Sequence, residues 1–100
     1  MTTSHRRLSQ GDLEMILVAH ERYVSGRNGG RRAMLKFIDL SGLDLSGRRL
    51  DDADFTGCIF DHARMVRTQL ERAVLFGCDL RKADMRAANL RRSDMRGTCL

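Results

Sequence analysis

The 100-residue sequence has no proline, no tryptophan, five aromatic residues, three cysteines and three histidines. These shortages remove whole classes of protein. The only early apolar run, Ile16-Leu17-Val18-Ala19, is too short for a secretory core or a membrane span. Arg6-Arg7 is not followed by the apolar stretch that a twin-arginine export signal needs. An odd number of cysteines without metal-type spacing predicts reduced thiols and a cytoplasmic chain. His5, His20 and His62 fall one to a region with no shared spacing, and Asp61-His62 lacks a nucleophile to activate. Gly29-Gly30 lacks the Lys-Ser/Thr of a phosphate loop. No catalytic, cofactor-binding or metal-binding residue is therefore predicted, and a non-enzyme is expected.

Charge is present but unevenly placed. The formal net charge is +5, from 18 basic and 13 acidic residues. Residues 33–61 carry three basic against six acidic side chains, whereas residues 62–100 carry nine basic against four acidic. This balance permits an anionic partner without requiring one.

Residues 9–25 read as an amphipathic helix, with Leu13, Ile16, Leu17, His20, Tyr23 and Val24 at helical spacing. Ser9 suits the N-cap, Asp12 the acidic half of a capping box, and Leu8 with Leu13 a hydrophobic staple. Ser25-Gly26 stops the helix, and Arg27-Asn28-Gly29-Gly30 is a flexible turn. A lone helix of this length is marginal in water, so its stripe must rest on something. Residues 1–32 are expected to cap the unit that follows, the alternative being a helix that docks a partner.

From Leu35 to Leu100 every fifth residue is large and apolar, fourteen times without a break. Two residues before each stands a mostly small side chain, and Asp or Asn often lies between. A period of five makes no stripe on an α-helix and flips faces along a flat strand. It works if each pentad is one short side of a coil, with two inward positions, one outward position between them, and a two-residue corner. Units such as Ala53-Asp54-Phe55-Thr56-Gly57, Ala83-Asp84-Met85-Arg86-Ala87 and Ala88-Asn89-Leu90-Arg91-Arg92 carry this pattern.

These units resemble the A(D/N)LXX motif of the pentapeptide-repeat family. The resemblance implies an all-β solenoid over residues 33–100: a right-handed quadrilateral β-helix of four pentads per turn. Fourteen units then make about three and a half coils, with the N-terminal capping α-helix at one end. Residues 20 apart are expected to stack, placing Cys58 above Cys78 as small core residues or, conceivably, a disulfide. Arg48 occupies an inward position, so either that side distorts or the guanidinium turns out toward Asp51 or Asp52. Ile38 and Leu43 are large where small is usual and are expected to reach the cap. The last unit stops at Leu100 without its corner, leaving an edge that either continues as a longer rod or is covered by a second copy.

The resemblance further implies a bacterial cytoplasmic rod that works by surface shape and charge. The best-understood relatives mimic DNA and bind type II topoisomerases through an acidic rod. Here the repeat region carries 12 basic against 10 acidic residues, and no binding residue carries over. Two candidate surfaces remain. Outward-facing Ile59, Val74 and Phe76 form a candidate protein-binding patch, which with the terminal edge suits a protein partner or a homodimer. Arg81, Lys82, Arg86, Arg91, Arg92 and Arg96 form a basic girdle around the last coil. It is either a solvated face paired with Asp79, Asp84 and Asp94 or a site for an acidic surface or nucleic acid. Aromatics that would stack bases are scarce there. The expected function is a protein-interaction or assembly module, the alternative an anion-binding module.

Overall fold

The structure, a computed structural model, describes residues 5–100. Residues 33–100 wind as a four-sided coil. Parallel bridges join outward residues 20 apart, as in Met34↔Asp54, Asp54↔Val74 and Val74↔Asp94, and the same interval recurs on every side. Side A comprises residues 33–37, 53–57, 73–77 and 93–97. Sides B, C and D begin five, ten and fifteen residues later.

The inner column is built as the five-residue period requires. Leu40, Leu45, Leu50, Phe55, Phe60, Met65, Leu70 and Leu75 are fully buried, with Ala53, Cys58, Ala63, Thr68 and Ala73 between them. Phe55 and Phe60 meet edge to face, 5.5 Å between centroids. Polar atoms at the small inward position serve the coil above: Thr68 donates to the Leu45 carbonyl at 2.9 Å, Cys58 to Leu35 and Cys78 to Phe55. The two thiols are free, and each is used as a donor in the core.

The corners explain the remaining positions. The second corner residue has positive φ at all thirteen corners between residues 37 and 97, five of them glycine and eight not. A left-handed residue at that place makes a tight turn that glycine adopts without a Cβ penalty. The outward Asp or Asn fastens the same turn. Asp39, Asp44, Asp54, Asp79 and Asn89 each accept the backbone N–H two residues on, at 2.9–3.1 Å.

The N-terminal end is sealed more thoroughly than the helix alone suggests. Helix α1, Gln10–Val24, starts at Ser9, whose hydroxyl accepts the Asp12 N–H at 3.0 Å. Leu13, Leu17 and His20 are buried against the first coil, with Ile16 and Leu8 partly so, whereas Tyr23 stays exposed. Leu43 and Ile38 join this contact as their size predicts. Before the helix, strand β1 (Arg6–Arg7) pairs in parallel with β2 (Ile38–Asp39) on side B. On side C the Gln10 side chain imitates a strand, donating to the Asp44 carbonyl and accepting its N–H at 3.0 and 2.9 Å. On side D the Glu21 carboxylate accepts the Arg49 N–H at 3.1 Å.

Arg48 neither distorts its side nor reaches Asp51 or Asp52. Its guanidinium rises to α1 and binds Glu21 through two nitrogens, at 3.0 and 2.7 Å, and Glu14 through a third at 2.6 Å. The physical reason is position: Glu14 and Glu21, seven residues apart on one helix face, hang over side D. These bonds hold the Glu21 carboxyl below its ordinary range.

His20 is wholly buried between cap and coil. Its Nε2–H donates to the Asp51 carbonyl at 2.7 Å, and its Nδ1 accepts the Ala33 N–H at 2.9 Å. Those partners fix the neutral tautomer, and burial lowers the pKa below 6.5. The unfolded chain therefore takes up the proton first, and stability is full above about pH 7 and falls as pH drops through about 6.5, by at most about 1.4 kcal/mol per pH unit. Urea unfolding at a series of pH values between these limits and pH 5 is expected to show this fall. His20→Gln should be less stable at neutral pH but lack that segment of the pH dependence.

The corner geometry makes a second prediction. Ala87 sits at φ 59°. Ala87→Gly removes a left-handed cost of about 1–2 kcal/mol and adds about 0.5–1 kcal/mol of chain entropy, so the denaturation midpoint should hold or rise slightly. Gly57→Ala should lose about 1–3 kcal/mol, because its φ is 68° and a new Cβ would run into the Phe37 ring.

Candidate functional site

The two ends of the rod differ. On the first coil the cap meets most outward-pointing backbone groups. On the last coil nothing among the described residues does so. The N–H groups of Met85, Leu90, Met95 and Leu100 and the carbonyls of Ala83, Ala88, Ser93 and Thr98 have no backbone partner, whereas their counterparts one coil earlier are paired. The core is open there too: Met85, Leu90 and Met95 are partly exposed and Leu100 is 82% exposed. Ser93 and Thr98, unlike Thr68, turn back to the carbonyls of their own corner, Leu90 and Met95, at 2.7 Å.

The basic girdle divides into two sets. Arg81, Arg86 and Arg96 each lie over the aspartate two residues before, with Nη2–carboxylate distances of 2.7–2.8 Å to Asp79, Asp84 and Asp94. These bonds depress the three carboxyl pKa values and raise those of the arginines. Lys82, Arg91 and Arg92 have no ion-pair partner among the described residues. Half of the girdle is thus internally neutralised on an exposed face, where such pairs are weak and salt-sensitive.

Ile59, Val74 and Phe76 do not merge into one surface. Val74 stands on side A between Asp54 and Asp94, and Ile59 on side B between Asp39 and Asp79. Ile59 floors a small polar recess with Asp61, Asp79, Arg81 and Lys82. Phe76 is exposed at the corner between these sides, under the Arg96 guanidinium at 5.5 Å.

Reactive groups are held in structural roles. Burial pushes the Cys58 thiol up to about 12 and the Cys78 thiol up to about 11, far from a nucleophile's range. Cys99 is exposed at the terminal edge. Asp61 and His62 form an exposed pair at 3.2 Å, and among the described residues no three His, Cys, Asp or Glu side chains cluster as metal ligands would. Among the described residues no helix is long and apolar enough to cross a membrane.

Sequence reasoning missed β1, Gln10 and the Glu14–Arg48–Glu21 bridge. The bridge had a signal, since an arginine in an inward position needs an acid and α1 offers two on one face. Strand β1 had none, because its 32-residue offset from β2 lies outside the repeat.

With this geometry in view, the chain matches the model of pentapeptide repeats over residues 38–75 and 68–100. Seven chains of solved structures match it. One is the crystal structure of a pentapeptide repeat protein, Rfr23, from the cyanobacterium Cyanothece 51142, with a TM-score of 0.65 at 25% identity. That match covers 70% of this chain and 48% of the other, so the chain here spans about half the length of that protein. No curated protein matches by sequence.

The division of the girdle fixes an expected outcome. Three free cations give a log–log salt slope for duplex DNA no steeper than about −3, against about −5 for six. Fluorescence anisotropy across a salt series measures it, and a slope near −5 would show that the aspartates release their arginines.

Proposed function

The chain belongs to the pentapeptide-repeat family, its repeats wound as a right-handed quadrilateral β-helix, and from that premise we propose that it is a non-catalytic assembly module. The observation that carries this reading is the open face of the last coil. Among the described residues, unpaired N–H groups, those of Met85, Leu90, Met95 and Leu100 included, and four unpaired carbonyls surround partly exposed Met85, Leu90 and Met95. A face of that kind is completed by a further β layer, from more of the same rod, from a protein partner or from a second copy, and the first coil shows the same need met by β1, Gln10 and Glu21. Exposed Leu100 and the terminal edge extend the surface, while Phe76 lies at its rim one coil up.

A second reading is favoured by one observation: Lys82, Arg91 and Arg92, near the same end, have no ion-pair partner among the described residues. It is an anion-binding module for an acidic surface or nucleic acid. Mimicry of DNA toward a topoisomerase has less support, since it calls for an acidic rod.

Light scattering after size exclusion, over a hundredfold concentration range, tests the first reading. The chain should self-associate, and Leu90→Lys on the open face should return it to a monomer with its circular dichroism unchanged. A strict monomer at every concentration, with duplex DNA bound and released by salt, would replace the first reading by the second. A strict monomer that binds no anion removes both self-assembly and the girdle.

A further inference from the structure

We propose that the groove between α1 and the first-coil edge of side A receives an extended peptide segment, apolar on one face and acidic at its flanks, which adds to that edge as a β-strand. This surface lies at the capped end and does not depend on assembly through the last coil.

The backbone of side A offers an edge. At the outward position of the first coil, Asp39 is paired with Arg7 of β1, Asp44 with the Gln10 amide and the Arg49 N–H with the Glu21 carboxylate. The fourth equivalent residue, Met34 on side A, has neither its N–H nor its carbonyl bonded among the described residues. An N–H and a carbonyl side by side on a strand edge are matched by another extended backbone, as β1 does with two residues on the neighbouring side.

The wall beside that edge is apolar. The groove holds about 590 Å³ and is lined by Met15, Ile16 and Ala19 of α1 and by Met34. Met15 is 75% and Met34 56% exposed, large apolar surface that a soluble face rarely leaves bare. Methionine adapts its shape to varied side chains, which suits a peptide site.

The charge along the groove has one sign. Arg31 and Arg32 line the groove and no carboxylate does. An acidic segment complements it. A second copy offering its last coil would bring Lys82, Arg91 and Arg92, which the same arginines repel.

The probe is a fluorescein-labelled octapeptide alternating leucine and glutamate, titrated into the full chain by anisotropy. Beside it run a lysine-for-glutamate counterpart and a form N-methylated at alternate residues. The acidic peptide should bind at least about tenfold tighter than either. Met15→Asp and Arg31→Glu, both at exposed positions, should each weaken it by about tenfold while thermal melting is unchanged. Exchange of the Met34 amide hydrogen should slow on binding. Absence of binding, or equal binding of the N-methylated peptide, would overturn the proposal. So would a Met34 amide already protected without peptide: protection that grows with protein concentration would assign the groove to a second copy, and protection that does not would assign it to the chain's own first residues.

Discussion

Each side of a β-helical coil carries backbone N–H and carbonyl groups that point along the rod axis, and only another layer can satisfy them. In the middle of this rod the next coil does so, twenty residues away. At the ends it cannot, and an unmatched edge beside an apolar core is both costly to bury and an invitation to pairing. Much of what is irregular in this protein answers that single requirement. A two-residue strand, a glutamine side chain, a glutamate carboxylate and a neutral histidine each replace part of the missing coil.

The replacement is chemically varied because the cap is a helix. A helix offers no backbone edge, so it must meet a strand edge with side chains. Gln10 carries a donor and an acceptor in amide geometry and can stand for a peptide unit. Glu21 accepts one N–H and at the same time anchors Arg48, whose stem leaves the core from an inward position. His20 bridges two backbone groups of opposite kind and can do so only uncharged. Where the helix supplies no such side chain, at Met34, the edge has no partner among the described residues and lies beside apolar surface. Among the described residues the last coil has none of these devices, so the first and last coils present different chemistry.

Along the rod the charges have a first duty to the fold. The outward aspartates accept the N–H that closes the next corner, and three of them also hold the arginine that follows. An arginine held in this way still lies at the surface, but its charge is already answered. Counting basic residues along the chain therefore overstates what the girdle can offer a polyanion. The residues left over lack an aspartate at that spacing: two positions before Lys82, Arg91 and Arg92 stand Leu80, Asn89 and Leu90.

The five-residue period by itself determined a coil whose sides carry two inward positions and a two-residue corner, because sterics allow few ways to bury every fifth residue; the four sides and their columns followed from the resemblance to the family, and the left-handed corners from the structure. The boundaries of α1 were likewise legible from Ser9 and Ser25, since capping is local chemistry. Tertiary structure decided what depends on contacts between distant segments: that β1 lies on side B, that Arg48 answers to Glu14 and Glu21 and not to its own corner, and that Ile59, Val74 and Phe76 stand in separate columns, the first two between acids and Phe76 under Arg96. A repeat specifies how a chain stacks on itself, and its ends are specified by residues outside the repeat, whose partners are set by where the fold brings them.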